Sequence, residues 1–256
     1  MIFNSQKFQY LSLSSTLSIN SANVHAYISP EMNLIDHVDH LKDLGIVMSS
    51  NCSFEQHIIE LRKRCSSLCG WILRTFSSRE PLLMMTLFKS LVLSRLDYGS
   101  QLWSPTKINQ INMIEKVQRA FTKHVSGLYY LSYQERLRTL NLYSLQRRRE
   151  RYIIIYIWKI LENLVPDMVK PIIYHMSDRR GRLCRVCNVG TGHTGTLAHS
   201  SFRWKGIRLF NSMPRYVRNI TNCDVISFKK KLDLYLTTIL DNPSIPNHNN
   251  SLDNNY

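Results

Sequence analysis

The sequence predicts a mainly α-helical chain with a short β-rich segment at its N-terminus. Three observations carry that expectation. From residue 53 onward, apolar residues recur at steps of three and four, the period of one helix face. Serines stand where helices would begin, at Ser53, Ser132 and Ser144, and a serine side chain can accept from an unpaired N–H of a first helical turn. Residues 1–50 instead carry short alternating or β-branched runs.

Within that first segment, Tyr10-Leu-Ser-Leu13 and Val24–Ile28 are β-prone. Leu41–Val47 reads as a strand whose Gly45 permits a bulge or a close backbone approach. The segment is too short to form a sheet domain alone. Ser53 and Gln56 have capping-box spacing, and Phe54, Ile58, Leu61, Cys65, Leu68, Ile72 and Phe76 then form one stripe. Ser78 and Pro81 open a second helix, with Leu83, Leu87, Leu91 and Leu102 among its apolar residues. Ser104-Pro105 reads as an N-cap with proline in the first turn, opening a third helix that buries Ile111, Ile114, Val117, Phe121 and Val125. Three amphipathic helices with short connections make a small bundle over 53–126.

A second helical region is expected over 132–240. Ser132 and Glu135 form a capping box for a short helix to Leu140. Ser144 caps a longer helix running to about Leu164, closed by Pro166. Residues 178–200, rich in Gly, Arg, Thr and His, read as a loop or extended arm. A helix over Arg203–Met213 stops at Pro214, and Val225, Phe228, Leu232, Tyr235 and Ile239 mark the last one. Residues 241–256, mostly Asn, Ser and Pro, are expected to be a disordered tail.

The formal charge is +15, and it is unevenly spread. Residues 1–60 carry two basic and six acidic side chains; 119–151 carry eight and two; 170–231 carry thirteen and two. Such basic blocks suit a polyanion, because each cation on a phosphate releases condensed counterions. No apolar run is long enough to span a membrane, so no membrane partner is expected. With no secretory signal in the sequence, the six cysteines read as reduced thiols of an intracellular protein, in the nucleus or the cytoplasm.

Arg147, Arg148, Arg149 and Arg151 are candidate nucleic-acid contacts, since a guanidinium binds phosphate in a bidentate manner. Consecutive helical residues point in different directions, so some of the four should pair with acids or cap carbonyls instead. Arg203, Lys205 and Arg208 surround Trp204, an aromatic that could stack on a base or join the core. Arg179, Arg180, Arg182 and Arg185 lie in the expected loop. Cys184, Cys187, His193 and His199 fall within sixteen residues, but their spacing matches no familiar zinc motif, and no metal site is expected. Nor is there a nucleophile elbow, a phosphate-cradling glycine loop or a dinucleotide fingerprint.

An ordered set of motifs resembles the C-terminal part of reverse transcriptases from non-LTR retrotransposons of the jockey-like kind. It runs from Leu41-Lys-Asp-Leu-Gly-Ile through Gly70-Trp71-Ile72-Leu73-Arg74-Thr75-Phe76, Leu96-Asp97-Tyr98 and Leu102-Trp103-Ser104-Pro105. It continues with Ile114-Glu115-Lys116-Val117-Gln118-Arg119, Tyr133-Gln134-Glu135-Arg136-Leu137, Tyr143–Tyr152 and Leu209-Phe210-Asn211-Ser212-Met213-Pro214. One departure is Phe210, which stands where the family usually has tryptophan.

The resemblance implies a palm remnant over 1–50 with a primer-grip-like hairpin, a thumb over 53–126 that holds the template–primer duplex, and a basic downstream region over 132–240. Phe3, Asn4 and Lys7 match the palm segment that follows the catalytic aspartates, and Lys7 matches only its lysine. No adjacent Asp-Asp pair occurs in the 256 residues. Polymerases of this kind stabilise attacking and leaving oxygens with two metal ions on paired carboxylates. The resemblance therefore implies a truncated polymerase with no catalytic residues and no cofactor of its own, magnesium belonging to the complete parent enzyme. The implied partners are RNA, DNA or an RNA–DNA duplex, and a separate palm-containing chain. Two other readings fit the same composition: a non-catalytic nucleic-acid-binding protein retained by a host, and an inert fragment.

Overall fold

The structure, a computed structural model, describes residues 8–12, 27–28, 34–166, 174–176, 180–185 and 201–241. The fold is mainly helical, with a few short strands near the N-terminus. Strands β1 (Gln9–Tyr10) and β2 (Asp36–His37) pair in parallel. Strands β3 (His40–Asp43) and β4 (Ile46–Ser49) pair antiparallel, with Asp43 opposite Ile46. The single strand expected over 41–47 is thus a hairpin. Its two-residue turn, Leu44-Gly45, has φ of 45° and 85°, the left-handed pair that suits the twist of a tight hairpin. Gly45 serves a turn, not a bulge. Ile46, Val47 and Ser49 are buried where β4 packs on the first helix.

Helix α1 (Glu55–Thr75) buries His57, Ile58, Leu61, Cys65, Cys69 and Ile72. Its start differs from the expected capping box. The Ser53 hydroxyl accepts from Glu55 N at 3.1 Å, but the Gln56 amide donates to Glu60 rather than reaching back. Helix α2 (Pro81–Leu87) runs through a π-helical stretch, Phe88–Leu93, into α3 (Ser94–Asp97). Gly99, at φ 58°, then breaks the chain, and Leu102 lies on a separate short helix, α4 (Ser100–Trp103). A Cβ on Gly99 would sit 2.7 Å from Ile46 Cδ1, so this turn presses against the hairpin. Pro105 does not open the next helix. It holds Ser104 extended (φ −50°, ψ 116°), which ends α4, and α5 (Ile108–Thr122) starts after Lys107.

Helix α6 (Tyr133–Thr139) carries the expected box in full, with Ser132 N donating to Glu135 Oε2 at 2.7 Å and Glu135 N to Ser132 Oγ at 3.3 Å. Helix α7 (Leu145–Leu161) is capped by Ser144 Oγ, which accepts from Arg147 N at 3.0 Å. It ends before the expected Leu164, at a left-handed Asn163. Strands β5 (Tyr174–His175) and β6 (Leu183–Cys184) form a small antiparallel pair. Helices α8 (Phe202–Ser212), α9 (Arg215–Arg218) and α10 (Val225–Thr237) follow, the last capped by Asp224.

Two apolar cores result. The first joins Ile46 to α1 through α5 and extends to Leu128, Leu140 and Leu145. The second packs α7 against α8, α9 and α10, with Trp158 and Phe228 stacked at 4.3 Å. At Gly206 an added Cβ would lie 2.7 Å from Ile157 side-chain atoms, so glycine lets α8 approach α7 closely. Helix α7 therefore belongs to the second core while its first turn meets α5.

Candidate nucleic-acid interface

The arginine-rich start of α7 faces inward. Arg147 is buried and donates to the Leu236 carbonyl at 3.1 Å and the Leu240 carbonyl at 3.0 Å, capping the end of α10 where the helix dipole is negative. Arg148 Nε donates to both Asp97 oxygens at 2.9 and 2.8 Å, tying α7 to α3. Arg151 Nη2 donates to Asp233 Oδ2 at 2.8 Å, tying α7 to α10. Arg149 is buried with its guanidinium 5.9 Å from the Trp103 ring centroid. The forked geometry expected to meet phosphate is used on carboxylates and carbonyls within the fold. Of the four candidate nucleic-acid contacts, Arg147, Arg148 and Arg151 are internal ties and Arg149 is buried.

They surround a buried polar centre. Glu115 is wholly buried on α5 and accepts from Leu145 N at 3.2 Å and Gln146 N at 3.3 Å, the first N–H groups of α7. The Tyr133 hydroxyl donates to it as well. Burial pushes the Glu115 carboxyl up; the Tyr133 hydrogen bond and the Arg149 charge oppose that shift. Gln118 Nε2 donates to Tyr133 Oη at 3.0 Å and to the Tyr143 carbonyl at 2.9 Å. Burial pulls Arg149 down, while Glu115, Glu150 and Asp97 hold it up. None of its three guanidinium nitrogens has a hydrogen-bond partner among the described residues. Sequence reading passed over Glu115, although it stands four residues after Ile111 on the apolar face of α5. A carboxylate inside an apolar stripe was the available signal.

The second predicted block, on α8, divides. Arg203 is half-buried. Lys205 Nζ lies 3.4 Å from both Ser104 Oγ and the Pro105 carbonyl. Arg208 is exposed, with its guanidinium 4.6 Å from the Trp204 ring. In the predicted arginine loop, Arg182 is buried and donates to Glu162 Oε1 at 2.7 Å. Cys184 is buried as well, which pushes its thiol up to about 11. Lys7, Arg179, Cys187, His193 and His199 lie outside the described residues. Among the described residues no group of three or more His, Cys, Asp or Glu could hold a metal ion, and no helix is long and apolar enough to cross a membrane.

Helix α1 carries exposed cations with no acid among them over most of its length. Arg62, Lys63, Arg64 and Arg74 are exposed, and no carboxylate occurs between Glu60 and Glu80. Lys63, Ser67, Gly70 and Arg74, at helical spacing, share the face turned away from the core. Arg64 pairs with Glu60 at 2.9 Å in solvent, a contact of little strength. Lys42 of β3 and Arg95 of α3 add to the local positive field: Lys42 acts on the His57 ring, whose burial lowers its pKa, and Arg95 acts on the Cys65 thiol, which burial raises to about 11.

Gly70 is the odd residue of this face. Its backbone is ordinary helix, and an added Cβ would meet only the tip of Arg74, with Nη1 at 3.2 Å. Neither a turn nor close packing requires glycine there, and in mid-helix it costs roughly 0.5–1 kcal/mol against alanine. The absent side chain leaves room for the Arg74 guanidinium to lie over the helix at this point. Gly70→Ala is therefore expected to raise stability by roughly 0.5–1 kcal/mol in urea unfolding; an unchanged or lower midpoint would contradict this.

No protein family, no curated protein and no solved structure compared with this chain matches it.

Proposed function

We propose that this chain is the template–primer-holding part of a non-LTR retrotransposon RNA-directed DNA polymerase, and that on its own it grips nucleic acid without polymerising. The observation that carries the reading is the outer face of α1. It offers Lys63 and Arg74 around small residues at Ser67 and Gly70, with no acid along nineteen residues. That combination suits a phosphate backbone lying close against a helix: cations release counterions, and small side chains admit the approach. The bundle beneath fixes this face, because α1 packs on β4, α3 and α5.

Magnesium chemistry belongs to the complete parent. No adjacent Asp-Asp, the pair that seats two such ions in polymerases of this kind, occurs in the sequence. The test pairs two assays on the same protein. In a gel shift the chain retains an RNA–DNA hybrid, and with template–primer, deoxynucleotides and magnesium it extends no primer. Templated extension overturns the non-catalytic half of the reading, and failure to retain the hybrid overturns the grip.

A further inference from the structure

Tyr129 and Tyr130, between α5 and α6, are 65% and 95% exposed. Their rings meet edge to face with centroids 5.2 Å apart. The loop that presents them is firmly held. Val125 and Leu128 are buried in the first core and Leu131 packs against it. Ser126 N donates to the Arg79 carbonyl at 2.8 Å, Leu128 N to the Val125 carbonyl at 3.1 Å and Leu131 N to the Leu128 carbonyl at 3.2 Å. Gly127 makes the turn at φ +77°. Arg79 in turn donates to the Leu73 carbonyl at 2.6 Å, so the loop is tied to the last turn of α1.

Two aromatic rings are thus held in water on a fixed frame, at the end of the helix that carries Arg74. Their surroundings are cationic. From Lys116 to Gln134 the chain holds Lys116, Arg119 and Lys123 and no carboxylate, and Lys123 and His124 are exposed. An open ring face suits a nucleobase, since every base has a π-face, and nearby cations suit the phosphates joining successive bases. Paired bases keep their faces stacked within the duplex, so rings of this kind select unpaired ones.

We propose that Tyr129 and Tyr130 form a stacking platform for unpaired nucleotides, next to the duplex-holding face of α1. The platform rests on the reading of α1 as a grip, and it specifies the ligand further: a duplex with a single-stranded extension. The test compares a blunt fluorescent RNA–DNA hybrid with the same hybrid bearing a single-stranded RNA tail, by anisotropy. Wild-type protein is expected to bind the tailed hybrid roughly tenfold more tightly. Tyr129→Ala/Tyr130→Ala erases that difference, leaving affinity for the blunt hybrid and the melting temperature unchanged; Tyr130→Phe, which keeps the ring, retains it. Equal wild-type affinity for the two hybrids overturns the platform and leaves the α1 grip standing. A tail advantage that survives in the alanine variant also overturns it. Binding of neither hybrid overturns both readings.

Discussion

Glu115→Ala is expected to destabilise the protein by about 3–5 kcal/mol, the range for removing one partner from a buried charged network. The carboxylate sits where α5, α6 and α7 meet, and four groups depend on it. Leu145 N and Gln146 N would lose their acceptor at the first turn of α7, Tyr133 would lose the oxygen to which it donates, and Arg149 would lose a carboxylate that holds up its charge. Out of the 5–15 kcal/mol typical of a folded protein, such a loss shifts the urea midpoint far. Glu115→Gln keeps an acceptor for the two N–H groups and should cost less.

The same residue gives stability a pH dependence. Burial holds the Glu115 carboxyl above its ordinary 4.5, so the native state binds a proton there more tightly than the unfolded chain does. The stability this contributes is complete below 4.5 and is lost as pH rises through the raised value. Glu115→Gln, which does not titrate, removes that component. Urea midpoints measured across this range check both statements, and an alanine variant as stable as wild type would contradict the assignment of Glu115 to the junction.

Lys63→Gln/Arg74→Gln is expected to weaken binding to an RNA–DNA hybrid roughly 10- to 100-fold at low salt. It should also flatten the plot of log affinity against log salt by about two, one for each phosphate contact removed. Both side chains are exposed on α1 and neither contributes to the core, so the melting temperature should stay put. Arg148→Gln and Arg151→Gln should do the reverse. They break ties to Asp97 and Asp233, lowering stability while leaving the salt slope unchanged. A double substitution on α1 without effect on the slope, measured by anisotropy, would remove the helix from the interface.

Helix periodicity and the caps at Ser132 and Ser144 were legible in the sequence, because they depend on residues a few positions apart. The hairpin was half legible: the β-prone run was visible, but two left-handed residues at Leu44-Gly45 turned one strand into two. The start of α5 was misplaced because Ser104-Pro105 fits a helix start locally, while Gly99 against Ile46 decides the path of the chain. At the site, composition points to arginine density, and the sequence leaves open which arginines pair within the fold. Arg147, Arg148 and Arg151 find carbonyls and carboxylates contributed by residues distant in sequence, such as Asp97, Asp233 and Leu240. Partners that far apart leave no local trace. The sparser cations of α1 stay in solvent because its neighbours cover only its apolar stripe.

The proposed placement of a nucleic-acid interface on α1 rather than on α7 is tested most directly by photo-cross-linking. An RNA–DNA hybrid carrying 4-thiouridine is irradiated with the wild-type chain, and the attached peptides are identified by mass spectrometry. The expected attachments fall between Arg62 and Arg74. Attachments concentrated on residues 147–151, with α1 unmodified, would contradict it.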